Sequence, residues 1–388
     1  MGWKYKEIII PTKPQKPSFI LYGIFLITAI GSGAALFIFH AVNPSPFFQT
    51  WNIWLFSCLP VMFFLLAFSL RCYIYGIKLR QWDILNQETI HIKNEWEQWA
   101  VRYIAVIGGC VLFPNKITAS FLFEHSDSVE SQWGLAKRID YMPKCFPLTE
   151  QALHSLLYGI KNAIDGLPSD AELHITLLTD TSGGQSELIT SLLSDKWKRI
   201  FPDKHLPDVV LVTENHVCNM FERRMTLAEE YFELLLVMQL NGDGQYSDGL
   251  AALLLGSDDL ICKYKIHSVS RLLRPMPLDK ENIEQDFSLF FNIQHPSRQA
   301  KVIIGDSKDA LHLLPSVFSV GNECGIRCNA EKSIFLEMFS GLPGPFSDWL
   351  GIAFAVDVSD FISSPTMIIS SSGGWVNTVI PEAKMKIL

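Results

Sequence analysis

The stretch FELLLVMQLNGDGQYSDGLAALLLG, Phe232 to Gly256, decides how the rest of the chain is read. Two aliphatic runs, Phe232 to Leu240 and Leu250 to Leu255, flank the Gly/Asp-rich connection Asn241 to Gly244. Short continuous apolar runs bounded by turn residues fit strands buried on both faces. The same punctuation returns in PTMIISSSGGWVNTVIPE, Pro365 to Glu382, as a strand over Thr366 to Ser370, a Gly373-Gly374 turn and a strand over Trp375 to Ile380. The chain therefore closes twice in one way.

Working outward from the first closure, Val101 to Phe113 reads as a strand and Leu148 to Ile164 carries a helical stripe of Leu153, Leu156, Leu157, Ile160 and Ile164. Glu172 to Thr179 and Asp208 to Thr213 are strands, with helices over Gln185 to Ile200 and Met220 to Glu230. The second part repeats the order more loosely: strands over Tyr264 to Leu273 and Ala300 to Ile304, and helices over Lys280 to Phe291, Lys308 to Val317, Lys332 to Phe339 and Phe346 to Val356. Strands alternating with helices argue for an α/β domain with a largely parallel sheet. The expected halves are residues 101–256 and 257–388, alike in topology and without residue-level repeat.

Before them lie two apolar runs. Phe19 to Val42 has no Lys, Arg, Asp or Glu, and Ile53 to Leu70 is equally uncharged and stops at Arg71. At about 1.5 Å per residue each can cross a hydrocarbon core of about 30 Å. The first run is longer than a signal-peptide h-region, lacks an A-x-A-like cleavage site and is followed at once by the second. Lys4, Lys6, Lys13 and Lys16 precede the pair and Arg71, Lys78 and Arg80 follow it, whereas the connector Asn43 to Asn52 is uncharged. This positive-inside bias predicts a basic tail (1–18), a two-helix transmembrane hairpin (19–75) and a helical linker (76–100), with both termini in the cytoplasm. Trp51 and Trp54 suit the headgroup region. Ala29, Gly31 and Gly33 form a small-residue face for helix packing, within the hairpin rather than between copies.

The chain has 32 Lys+Arg against 40 Asp+Glu. The acidic surplus falls after Arg80, and no basic stripe is interleaved with aromatics, which argues against nucleic acid as a partner. Eight cysteines are scattered rather than arranged as a disulfide framework.

Two βαβαβαββ halves, closed by LLLVMQL…SDGLAALLLG and by the run Ser371-Ser372-Gly373-Gly374-Trp375-Val376-Asn377-Thr378-Val379, resemble the thiolase and ketoacyl-synthase fold. With the membrane segment, and with Met238-Gln239-Leu240, Tyr246 to Leu255 and Gly344 to Ala353, the chain is similar to the adapter family of type VI secretion lipase effectors. That resemblance implies an anchor in a bacterial inner membrane, a cytosolic domain of degenerate thiolase-like character over residues 100–388, and a secreted effector or secretion-machine protein as partner.

The resemblance also implies where a nucleophile would stand. Thiolase-like enzymes use a cysteine on a tight small-residue turn at a helix N-terminus, with His or Asn partners from the second half. Cys218 is the positional candidate, but Asn215 to Phe221 lacks small residues. The second-half loop Ser340 to Pro345 has no histidine, and His267, His295 and His312 stand at unmatched positions. The expectation is a structural Cys218 and a chain that is not an enzyme, the alternatives being a membrane-tethered acyl-processing enzyme or a membrane immunity or regulatory protein. Asp180 to Ser186 follows a strand and opens a helix, yet it has neither the P-loop Lys nor G-x-G-x-x-G, so it reads as a capping turn. Cys324 and Cys328 are a weak zinc pair without a second pair or nearby His. Glu229-Glu230 and Asp258-Asp259 read as solvated faces. No cofactor is expected.

Overall fold

The computed structural model describes residues 3–5, 10–42, 52–125, 130–142, 147–181, 186–213, 217–227, 230–326 and 333–382. They fall into two compact units, Lys6–Glu95 and Met1–Tyr5 with Trp96–Leu388.

In the smaller unit, helix α1 (Phe19–Val42) is followed by helix α2 (Ile53–Ala100). Both are long and apolar enough to cross a membrane. They run antiparallel, with Tyr22 against Phe68 at 5.0 Å between ring centres and Phe37 against Trp54 at 5.5 Å. A Cβ on Gly33 would lie 2.6 Å from the Ser57 carbonyl oxygen, so the helices need a residue without a side chain at this crossing. Ala29 is half-buried, while Gly31 faces open space. The second apolar run and the segment beyond it form one helix of 48 residues with Pro60 inside, rather than a span and a separate link. Trp51 and the connector 43–51 lie outside the described residues.

The larger unit begins with β1 (Tyr103–Leu112), α3 (Ala119–His125), α4 (Leu148–Gly159), α5 (Lys161–Asp165) and β2 (Leu173–Thr179). It continues through α6 (Ser186–Ile200), β3 (Asp208–Val212), α7 (Val217–Leu227), β4 (Phe232–Gln239) and β5 (Gly249–Ser257). The second half holds α8 (Asp258–Tyr264), β6 (Ser270–Leu273), β7 (Met276–Pro277), α9 (Ile283–Ile293), β8 (Val302–Gly305) and α10 (Leu314–Glu323). It ends with β9 (Ser333–Phe335), α11 (Leu336–Ser340), α12 (Ser347–Ile362), β10 (Thr366–Ser370) and β11 (Trp375–Pro381).

The strand order is β3-β2-β4-β5-β1-β6-β11-β10-β8-β9, with β7 attached to β11. Read outward from the β1–β6 seam, one half gives β1, β5, β4, β2, β3 and the other β6, β11, β10, β8, β9. Directions match as well. β2 is parallel to β3 and β4, β8 is parallel to β9 and β10, and β5 and β11 run antiparallel to their neighbours. The duplication expected from the two closures is present in order and direction.

Side-chain alternation divides the core. On β4, Leu235 and Val237 enter a central cluster while Leu234 and Leu236 enter an outer one with α4, α6 and Trp197. On β10, Ile368 joins the central cluster while Met367 and Ile369 pack outward against α9 and α10. The central layer holds α7 and α12, where the Phe221 and Trp349 rings stack at 6.3 Å. Fully burying one such aliphatic side chain contributes about 1.5–3 kcal/mol, which explains the absence of polar alternation on these strands.

Several elements differ from expectation for local reasons. Leu148 to Ile164 is split at Ile160. The strand expected over Tyr264 to Leu273 begins only at Ser270, because Ser257 accepts from the Leu260 amide and Asp258-Asp259 open α8, which ends at left-handed Lys265. The helix expected over Lys308 to Val317 is a 3-10 turn to Leu313 and then α10, with Pro315 in its first turn. Ser333 to Phe335 is strand because it pairs with β8.

Candidate functional site

The central layer brings the ends of the two halves together. Residues 214–216 are outside the described set, and α7 opens at Val217-Cys218 just after β3. Cys218 is half-buried against the central cluster. Burial, and then the charges of Asp348 and Glu222, push its thiol up to about 12. A thiolate beside two carboxylates is disfavoured, so the group is held as the thiol at neutral pH. Among the described residues no histidine hydrogen-bonds to Cys218; His295, for one, pairs with Glu97 at 3.1 Å.

Asp348, whose charge acts on the Cys218 thiol, belongs to the second half. It lies in the first turn of α12 and accepts from Ser370 Oγ at 2.6 Å and from Trp375 Nε1 at 3.1 Å. Ser370 ends β10, and its hydroxyl also lies 3.1 Å from Asp306. Asp306 follows β8 and is buried at 3% exposure. Its carboxylate is met by Ser307 Oγ, Ser370 Oγ, and both the amide and hydroxyl of Ser371 and of Ser372. Burial alone would raise this carboxyl, but the bonds from Ser372 and Ser371 outweigh it and hold Asp306 below the usual carboxylate range. The turn is specific to glycine. A Cβ on Gly373 would collide with Trp375 Nε1 and stand 2.6 Å from Asp348 Oδ2, and Gly374 has φ +63°.

The loop after α11 closes over this region. Gln239 at the end of β4 donates to the Ser247 carbonyl at 2.7 Å and accepts from the Phe346 amide at 3.0 Å. The cavity between Gln239, Asp306, Ser340 and Gly344 is about 20 Å³. Beside it Asp248 is pinned by Arg138 at 2.6 Å, and burial raises its carboxyl.

The other sequence candidates lie elsewhere. Asp180 accepts from the Leu240 and Asn241 amides and from the Tyr246 hydroxyl, tying the β2 end to the β4 end. Burial and that carboxylate push the Tyr246 hydroxyl up to about 12. A carboxylate facing the strand ends opposes an anion there; residues 182–185 of this turn are outside the described set. Cys324 Sγ lies 4.0 Å from Asn292, Cys328 is outside the described residues, and among those described no group of metal-ligating side chains occurs. Glu229 is likewise undescribed.

Ser370, Ser371, Ser372 and Gln239 sit in segments that the sequence marks only as closing motifs, and Asp348 in one marked as a helix. Asp306 has the weaker signal of a lone acid after an aliphatic strand. Its convergence with Ser370 to Ser372 depends on β8 lying next to β10, which spacing along the chain does not reveal.

No protein-family model matches this sequence, and no curated protein matches it. Among solved structures, the chain is similar to a type II PKS ketosynthase in complex with its acyl-carrier protein, at 11% identity and TM-score 0.47 over 72% of this chain and 98% of that one. It is similar to an acetyl-CoA acetyltransferase from Syntrophomonas wolfei, at 10% identity and TM-score 0.41 over 72% and 98%. It is also similar to the human mitochondrial 3-ketoacyl-CoA thiolase in complex with CoA, at 9% identity and TM-score 0.41 over 74% and 99%. The fold is thiolase-like, and the duplicated strand order carries that statement. These neighbours correct one expectation. The chain was expected not to be an enzyme, whereas the structures it resembles are of enzymes.

Proposed function

We propose that this chain is a membrane-tethered adapter of a bacterial secretion system of the type VI kind, docking a secreted effector or a machine component through a cytoplasmic thiolase-like unit. The observation that carries the reading is the Trp3 clasp. Trp3 Nε1 donates to the Pro275 carbonyl at 3.2 Å, and its ring lies 5.3 Å from Trp99 and 5.9 Å from Phe290. The chain that enters the first apolar helix and the chain that leaves the second are thus held in one unit. Two membrane-crossing helices permit that only as a hairpin, and the basic flanks favour the cytoplasm for its ends. Holding a domain at the membrane raises its effective concentration toward partners there.

A second reading, a membrane-tethered acyl-processing enzyme, is favoured by the position of Cys218 at the start of α7, within the electrostatic reach of Asp348. One experiment separates the two. The full chain and its Cys218→Ala variant are purified from membranes, bound proteins are identified by mass spectrometry, and thiol release from acyl-CoA is followed. The adapter reading expects the same secretion component with both. Absence of any secretion component from both preparations would refute the adapter reading, and turnover that vanishes in the variant would establish the enzyme reading. Cleavage of residues 96–388 by protease added outside intact spheroplasts would refute the cytoplasmic orientation.

A further inference from the structure

A cavity of about 370 Å³ lies between the segment Pro11 to Gln15 and one face of α2. Apart from Gln81, the helix side consists of Arg71, Tyr75, Lys78, Trp82 and Leu85. These positions advance by four, three, four and three residues, so they form one stripe. Pro11 and Pro14 hold the facing segment extended, and Lys13 Nζ sits 4.8 Å above the Trp82 ring.

The charge around this cavity is one-sided. Between Glu7 and Asp83 the sequence carries Lys13, Lys16, Arg71, Lys78 and Arg80 and no carboxylate at all. Among the described residues Arg71 and Lys78 have no acidic partner. Arg71 is also the first charged side chain after the apolar stretch, which places it where hydrocarbon gives way to headgroups if α2 spans. Lys78 stands about 10 Å further along the axis. Tyr75 between them and Trp82 beyond are the amphipathic aromatics of an interfacial depth.

We propose that this cavity binds the headgroup phosphate of an anionic phospholipid, whose acyl chains run along the exposed apolar side chains of α1 and α2. The proposal rests on the reading of these helices as membrane spans. Arg71 offers a guanidinium fork for phosphate oxygens and Lys78 a second point charge. Thr12, Gln15 and Gln81 supply neutral hydrogen-bonding groups at the rim. Basic pockets on the cytoplasmic side of membrane helices select acidic lipids by this chemistry. An inorganic phosphate could use the same cations, but it would leave the adjoining apolar surface without a ligand.

The test uses the full chain reconstituted in phosphatidylcholine discs doped with phosphatidylglycerol, with the acidic lipid retained per protein read by native mass spectrometry. The variant Arg71→Gln/Lys78→Gln is compared with Lys16→Gln/Arg80→Gln, which removes the same charge outside the cavity lining. The expected result is retention by the wild type and the control pair and a loss on the order of tenfold in the cavity variant. Equal loss in both variants, or no loss in either, overturns the site, as does displacement of the lipid by added inorganic phosphate. Release of the wild type from native membranes by alkaline carbonate would overturn the span reading itself and this site with it. Retention in the membrane without lipid selectivity overturns the site alone.

Discussion

Asparagine cannot replace the carboxylate of Asp306, because its amide nitrogen would face hydroxyl and amide donors from Ser371 and Ser372. Asp306→Asn should lower stability by about 3 kcal/mol, the scale of breaking a buried charge-assisted network. Thermal unfolding of the purified chain measures it. The pH dependence has a definite sign. The folded state holds this carboxyl below its unfolded value, so its contribution is complete above about pH 4 and is lost as acid carries the pH through the folded value. Cys218 gives a second prediction. With its thiol pushed up to about 12, alkylation should be slow at neutral pH and should rise about tenfold per pH unit. Asp348→Asn removes a neighbouring negative charge and should speed the reaction, as followed by peptide mass spectrometry. An unchanged rate would show that Asp348 does not govern this thiol.

At the scale of elements, the Gly373-Gly374 turn joins β10 to β11 in the space left beside Trp375 and Asp348. Gly373→Ala should cost about 1–3 kcal/mol through overpacking and weaken the indole hydrogen bond, visible in the near-ultraviolet spectrum of Trp375. The closing strands were legible because unbroken aliphatic runs, bounded by Gly and Asp, leave little choice of structure. The helix expected over Gln185 to Ile200, found over Ser186–Ile200, was legible from the period of its apolar residues. Ser333-Ile334-Phe335 was read as helix, because a three-residue strand has no period of its own and owes its state to pairing with β8. Tyr264 to Leu273 was misread where Ser257 and the following acids begin a helix that apolar patterning does not announce. The candidate site was legible only in part. Cys218 could be picked by position, but its electrostatic neighbours come from α12 and α7 after folding.

For the whole molecule, the Trp3 clasp turns a linear order of tail, two helices and domain into a closed circuit. Trp3 is 8% exposed in a cluster with Ala100, Met276, Phe287 and Phe290. Trp3→Ala should cost the larger unit about 3–5 kcal/mol at most, the range for a large aromatic removed from a core, and should expose the N-terminal segment to limited proteolysis. Unchanged cleavage would show that the tail is held by other contacts. The duplicated halves are evident in topology alone, since equivalent strands share order and direction without shared residues.

The sheet that begins at a shared seam also stops at two unlike margins. β9 offers only three residues at one end, whereas β3 presents five at the other, with Val210 more than half exposed. Backbone amides along a border strand invite any unsatisfied strand that meets them. Loss of order in this protein should therefore spread from chain to chain by way of Asp208 to Val212, and a lysine at Val210 should keep a destabilised population dispersed.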